Sequence, residues 1–138
     1  DPLFSTMAQI KFGTDGWRAV IAEDFTFANV ARVAQASADH WKSKTPAASP
    51  KVVVGYDRRF FSDRFAQTTA EVMAGNGFEV VLTPAPTPTP AVSFAVKNMN
   101  AIGGVMMTAS HNPPAFNGFK LKMTCIQIAL ETCIKITI

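Results

Sequence analysis

The chain has 138 residues, with 13 Lys+Arg against 10 Asp+Glu and a formal charge of +3. At 48% hydrophobic and 17% charged residues it can bury a core, which excludes a disordered chain, and its length fits one domain. The basic bias is mild and scattered, so anions are allowed as partners and no nucleic-acid partner is expected.

No stretch approaches the roughly 18–20 apolar residues of a membrane span, so no membrane partner is expected. The opening mixes Asp1, Pro2, Ser5 and Thr6 and carries no signal-peptide pattern, which makes a cytoplasmic location the expectation. The two cysteines, Cys125 and Cys133, both lie near the end. With no Cys-x-x-Cys and no Cys/His ligand spacing, the chain reads neither as a disulfide scaffold nor as a zinc site.

Residues 1–6 precede the first methionine, Met7, and read as an expression remnant. Residues 10–18, Ile-Lys-Phe-Gly-Thr-Asp-Gly-Trp-Arg, predict a short strand turning into a loop, where Gly13 and Gly16 bracket Thr14 and Asp15. Phe25 to Trp41 has helical spacing through Phe27, Val30, Ala34 and Trp41, with Thr26 as N-cap. Lys42 to Pro50 is a surface linker. Residues 51–57, Lys-Val-Val-Val-Gly-Tyr-Asp, form an apolar run that predicts a buried parallel strand.

Ser62 is placed to cap a second helix, with Phe65, Thr69, Val72 and Met73 on one face and Gly75 or Gly77 ending it. Phe78 to Thr83 predicts the next strand. Residues 84–90 contain four of the nine prolines and predict an extended strand-to-helix connection, with Thr89-Pro90 as an N-cap and N1 pair. Read alone, the run also resembles a proline-rich docking motif, but turn chemistry accounts for it. A third helix follows through Val92, Ala95, Val96 and Met99. Ala101 to Thr108 predicts a fourth strand, running into a loop at 109–118, and Phe119 to Lys122 predicts a short strand leaving it.

The β-α-β-α-β-α-β order predicts a three-layer α/β/α domain over residues 7–122: a mostly parallel, mixed sheet of about four strands with helices on both faces. Ligands of such folds sit beyond the carboxyl ends of the strands. Three polar motifs fall at predicted strand ends: Gly13 to Arg18, Asp57 to Arg59, and Thr108 to Asn112.

Ser110, His111 and Lys120 then share one edge. That set could form an activated nucleophile, a phosphate site, or a plain Ser-Asn-Pro turn with a solvated histidine. Arg18, Arg59 and Lys120 add cations suited to a phosphorylated serine. No Gly-x-x-x-x-Gly-Lys-Ser/Thr loop is present to support a nucleoside triphosphatase, and no Gly-x-Ser-x-Gly elbow surrounds Ser110 to support a serine hydrolase.

Residues 108–113, Thr-Ala-Ser-His-Asn-Pro, followed by 117–120, Asn-Gly-Phe-Lys, closely resemble the phosphoserine loop of the α-D-phosphohexomutases, the phosphoglucomutase and phosphomannomutase enzymes. Residues 12–18 and 54–59 match two further stretches of that family in the same order. The resemblance covers residues 10–122 and implies that Ser110 carries the transferable phosphoryl group between the 1 and 6 positions of a hexose phosphate, through a bisphosphate intermediate.

By the same resemblance, His111 and Lys120 act in proton transfer and in stabilising the transferring group, beside Arg18. Thr14, Arg18, Asn112 and Lys120 hold phosphate, while Asp57 and Arg59 form a structural pair supporting the loop. Mg²⁺ is implied as cofactor, with the phosphate on Ser110 as one ligand, together with a glucose 1,6-bisphosphate-type activator. The family's metal loop does not occur in this sequence. The expectation is therefore a domain I that is inactive by itself, the alternative being a stand-alone phosphosugar-binding or interaction module without turnover.

Residues 123–138 alternate like strands at 126–130 and 134–138 and do not resemble what the family places there. They read as a vector-encoded or divergent end, or as a segment that pairs with a sheet edge. Windows of this kind promote association. Deleting residues 124–138 is expected to reduce self-association on a sizing column; unchanged elution would contradict this.

Overall fold

A computed structural model of the chain describes residues 10–13, 16–46 and 48–123. Its elements are β1 (Trp17–Val20), α1 (Phe27–Lys44), β2 (Lys51–Tyr56), α2 (Ser62–Gly75), β3 (Glu79–Leu82), α3 (Thr89–Asn98), β4 (Gly103–Met107) and β5 (Phe116–Met123). They form one five-stranded sheet in the order β1-β5-β4-β2-β3. β2 pairs in parallel with β3 and β4, and β5 pairs antiparallel with β4 and β1. The three-layer mixed α/β/α fold is thus present, with five strands where about four were expected.

The central strands are buried because both faces are covered. Val52, Val54, Val105, Met107 and Phe119 join a core with Val30, Val33, Trp41, Phe65 and Met73 of α1 and α2. Val53 and Met106 face the other way, against Val92 and Val96 of α3. Each fully buried side chain of this size contributes about 1.5–3 kcal/mol. A Cβ on Gly103 would sit 2.6 Å from the Trp41 ring, and one on Gly104 would sit 2.6 Å from Val96, so these glycines let both helix layers rest on β4.

Several local expectations change. The first strand follows the glycine loop instead of preceding it: residues 10–12 are not strand, and Gly13 and Gly16 bridge each other. α1 runs on to Lys44, with Lys42 and Lys44 complementing its carboxyl end, and stops where Pro46 forces Thr45 into extended backbone (φ −127°, ψ 135°). Thr26 does cap it, accepting the Asn29 N–H at 3.2 Å.

Ser62 is not the cap of α2. Phe61 occupies that position in a left-handed conformation (φ 60°), and Ser62 begins the helix with its hydroxyl turned inward. Pro88 takes the N-cap position of α3, so Thr89 is its first helical residue. β5 is longer than predicted because residues 116–118 pair with β1. The readings of residues 1–6 and of the tail lie outside the described residues.

His40, near the end of α1, has a buried Nε2 with no hydrogen-bond partner among the described residues. Burial first, and the charge of Lys44 second, push its pKa below the ordinary value of 6.5. A depressed histidine favours the neutral form in the fold, so its contribution is complete above about pH 6.5 and is lost as pH falls through the folded-state value. Thermal stability is expected to decline on acidification below about 6.5, and His40→Gln to flatten that decline. An identical pH profile in the variant would contradict this.

Candidate functional site

The polar loops converge because of how the strands are staggered. Met107, the last residue of β4, pairs with Phe119 of β5, and Phe119 in turn pairs with Trp17, the first residue of β1. β1 therefore begins level with the carboxyl end of β4, and Arg18 lies opposite Gly118 beside the loop that follows β4. Tyr56, ending β2, pairs with Met107, and the Asp57 N–H donates to the Met107 carbonyl at 3.1 Å. All three motifs thus reach one end of the sheet, although Gly13 to Gly16 precedes its strand.

At the centre, Ser110 is exposed and adopts a left-handed conformation (φ 51°). For a residue other than glycine this costs about 1 kcal/mol or more and persists only where neighbours enforce it. The enforcing contacts are hydrogen bonds. The Ser110 N–H donates to Thr108 Oγ1 at 3.0 Å, and the Asn112 N–H to the Ala109 carbonyl at 3.0 Å.

Arg59 binds the rest of the loop. One guanidinium nitrogen donates to the carbonyls of Ser110 (2.7 Å) and Asn112 (2.6 Å), the other to those of Pro113 (2.9 Å) and Phe116 (3.0 Å). Asp57 lies 3.6 Å from Arg59 Nε and also accepts the Arg59 backbone N–H at 2.9 Å. Arg59 is therefore a brace for the loop, in line with the structural pair expected of Asp57 and Arg59, and its guanidinium is committed to carbonyls instead of facing a phosphate.

Lys120 is 7% exposed, so its charge is nearly desolvated, and its Nζ donates to Ser110 Oγ at 3.0 Å. β5 alternation puts it there: Phe119 enters the core beneath α1 and α2, while Lys120 pairs with Met106 and shares the opposite face. Arg18 Nη1 donates to Asn112 Oδ1 at 2.8 Å, linking β1 to the loop. His111, next to Ser110, is exposed and makes no side-chain hydrogen bond among the described residues. Thr14 lies outside the described residues, as does Asp15.

Ser110, Lys120, Arg18 and Asn112 are thus brought together, with His111 at the rim. An open cleft of roughly 330 Å³ lies alongside, at the end of β2, lined by Tyr56, Asp57, Arg58, Arg59, Asp63 and Pro86. An exposed hydroxyl lies against a buried ammonium, on a loop tied to an arginine, an arrangement whose charge suits an anionic group.

A family model for the phosphoglucomutase/phosphomannomutase alpha/beta/alpha domain I matches residues 9–137. The chain belongs to this family. A probable phosphoribomutase of Schizosaccharomyces pombe is 43% identical over 117 residues, covering 82% of this chain and 20% of that protein. A probable phosphomannomutase of Haemophilus influenzae is 50% identical over 72 residues, covering 52% of this chain and 15% of that one. The crystal structure of a Thermus thermophilus protein described as a "putative phosphomannomutase" superposes with a TM-score of 0.80 at 48% identity, over 84% of this chain and 26% of that chain. The chain thus spans about a fifth or less of the length of these curated relatives.

A Mg²⁺ site needs several oxygen donors. Among the described residues no group of three or more His, Cys, Asp or Glu side chains could hold a metal ion, so the residues present do not fit such a site by themselves.

Sequence reasoning overlooked Thr108 as the acceptor for the Ser110 N–H and took Arg59 partly as a phosphate-facing cation. It also missed what Gly118 does. A Cβ there would lie 2.4 Å from the Thr108 carbonyl and 3.2 Å from that of Trp17, because β5 passes closely between β4 and β1. Gly118→Ala is expected to lower stability by about 1–3 kcal/mol, measured as a fall in Tm. An unchanged Tm would contradict the close approach.

Proposed function

We propose that Ser110 is the phosphoryl carrier of a sugar-phosphate mutase, and that this chain is the phosphoserine-bearing N-terminal domain of a phosphoglucomutase- or phosphomannomutase-type enzyme. The observation that carries the reading is the 3.0 Å approach of the buried Lys120 Nζ to the exposed Ser110 Oγ. A cation held there offsets charge on a phosphoryl group attached to that oxygen. Transfer of this group depends on positioning and charge stabilisation, and a left-handed loop tip braced by Arg59 supplies the positioning.

In the proposed cycle the Oγ–P bond of phospho-Ser110 breaks as a free hydroxyl of a hexose 1- or 6-phosphate forms the new O–P bond. The hydroxyl proton leaves to a base, for which His111 is the candidate. The bisphosphate reorients and returns its other phosphoryl group to Ser110. Lys120 and Arg18 offset the charge of the phosphoryl oxygens, with Arg18 oriented by Asn112. Thr14, included by the family resemblance alone, completes the proposed phosphate-binding set. Mg²⁺ and a glucose 1,6-bisphosphate-type activator belong to the proposed complete enzyme, and the metal's further ligands would come from outside the described residues. By itself this chain is proposed to accept one phosphoryl group from a bisphosphate in a single slow step and not to sustain interconversion of hexose phosphates.

The test is to incubate the full chain with glucose 1,6-bisphosphate, digest it and locate phosphate by mass spectrometry. A ribose bisphosphate runs in parallel because one relative is named a phosphoribomutase. One phosphate on Ser110 is expected, with none in Ser110→Ala. Lys120→Met should slow labelling by about tenfold or more, the worth of a lost charge-assisted hydrogen bond. A wild-type chain that takes no phosphate on Ser110 from either donor would contradict the reading.

A further inference from the structure

Two buried side chains outside the proposed transfer machinery reach it through a continuous hydrogen-bonded path. Ser62 and Asn117 are both 0% exposed. Asn117 Nδ2 donates to Ser62 Oγ at 2.9 Å, and Ser62 Oγ donates to Asp57 Oδ1 at 2.8 Å. Asp57 holds the backbone and guanidinium of Arg59, and Arg59 grips the Ser110 and Asn112 carbonyls. At its other end, Asn117 accepts the Gly118 N–H at 2.8 Å and so is fixed to β5.

This path also explains the shape of the α2 start. An N-cap serine would point its hydroxyl at the free N–H groups of its own helix. Here the left-handed Phe61 takes the cap position with no side-chain cap bond, and the Ser62 hydroxyl points at Asp57 and Asn117 instead. A bulky residue with positive φ is an outlier that persists only where the surroundings over-determine it. Phe61 is held by rings on three sides, packing with Phe27, Phe60 and Phe65, with Arg64 over its face. Ser110, at one end of this hydrogen-bonded chain, and Phe61, next to Ser62 in sequence, are both left-handed.

We propose that Ser62 and Asn117 are positioning residues: through Asp57 and Arg59 they hold Ser110 in its left-handed, transfer-ready conformation. Ser62 accepts from one neighbour and donates to the next, so it sets which Asp57 oxygen remains for the Arg59 guanidinium. That oxygen lies 3.6 Å from Arg59 Nε and draws the guanidinium to the side from which it reaches the carbonyls that frame Ser110. The proposal rests on the reading of Ser110 as the phosphoryl carrier for its consequence, while its geometry is testable separately.

The experiment is residue-resolved amide hydrogen exchange on the full chain, comparing wild type with Ser62→Ala, and with Ser37→Ala as control. Ser37 is equally buried and its hydroxyl bonds only the Val33 carbonyl within α1. Ser62→Ala should speed exchange of the Ser110 and Asn112 amides by about tenfold, the scale of a buried polar group losing its partner. Val54 and Val105 amides should hold their rates, and Ser37→Ala should leave the loop amides alone. Ser62→Cys, which fills the site while weakening both bonds, should give a smaller change of the same pattern and serves if the alanine variant fails to fold.

Loop exchange unchanged in the Ser62 variants, or raised only in step with Val54 and Val105, would overturn the proposal. A wild-type chain that never takes phosphate would count against the carrier reading, and the exchange pattern would still decide the positioning.

Discussion

The site depends on one guanidinium. Arg59 satisfies four carbonyl oxygens of a loop that has few ways to satisfy them itself, because Pro113 and Pro114 interrupt it. The bonds to the Asn112 and Phe116 carbonyls are partly buried, and leaving such groups unpaired costs about 1–3 kcal/mol each. A planar fork with five donors can serve several at once, whereas an ammonium cannot hold the same plane. Without that brace, the left-handed backbone at Ser110 is left to the Thr108 hydroxyl, the local turn and the side-chain bonds from Arg18 and Lys120. The loop hydroxyl could then relax away from Lys120, and the contact on which the proposed chemistry rests would be lost.

The sheet supplies the other half of the arrangement. β5 is the one described strand whose neighbours on both sides run antiparallel to it. It leaves the loop and comes straight back beneath it, which places Lys120 ten residues after Ser110 in sequence but 3.0 Å away in space. Burial of Phe119 on one face fixes the register, and a slip of one residue would exchange Phe119 and Lys120 between the core and the site. Core packing and the Lys120–Ser110 contact are thereby set by the same pairing.

Much of this was legible in the sequence. The apolar run of β2, the helical spacing of α1 and the alternation of element types report burial and periodicity directly, and they lead to the three-layer fold. The loop carrying Ser110 and His111, together with Lys120, stood out because polar residues followed a buried strand. Less legible were features that depend on long-range partners. Ser62 has the chemistry of a cap, but its hydroxyl bonds Asp57 and Asn117, the latter 55 residues later in the chain. Arg59 looks like any basic residue near an anion site until the carbonyls of residues 110–116 are placed beside it. The first strand was misplaced because the pairing that creates it lies with residues 116–119, not in its own composition.

The account turns on Ser110 accepting a phosphoryl group while Lys120 stands beside it. Phosphorus NMR of the full chain mixed with a stoichiometric amount of glucose 1,6-bisphosphate observes that event directly. The account predicts a phosphoserine resonance that grows in step with the loss of bisphosphate and the appearance of glucose monophosphate, and that is absent in Ser110→Ala. A bisphosphate that stays intact beside the folded wild-type chain would contradict it.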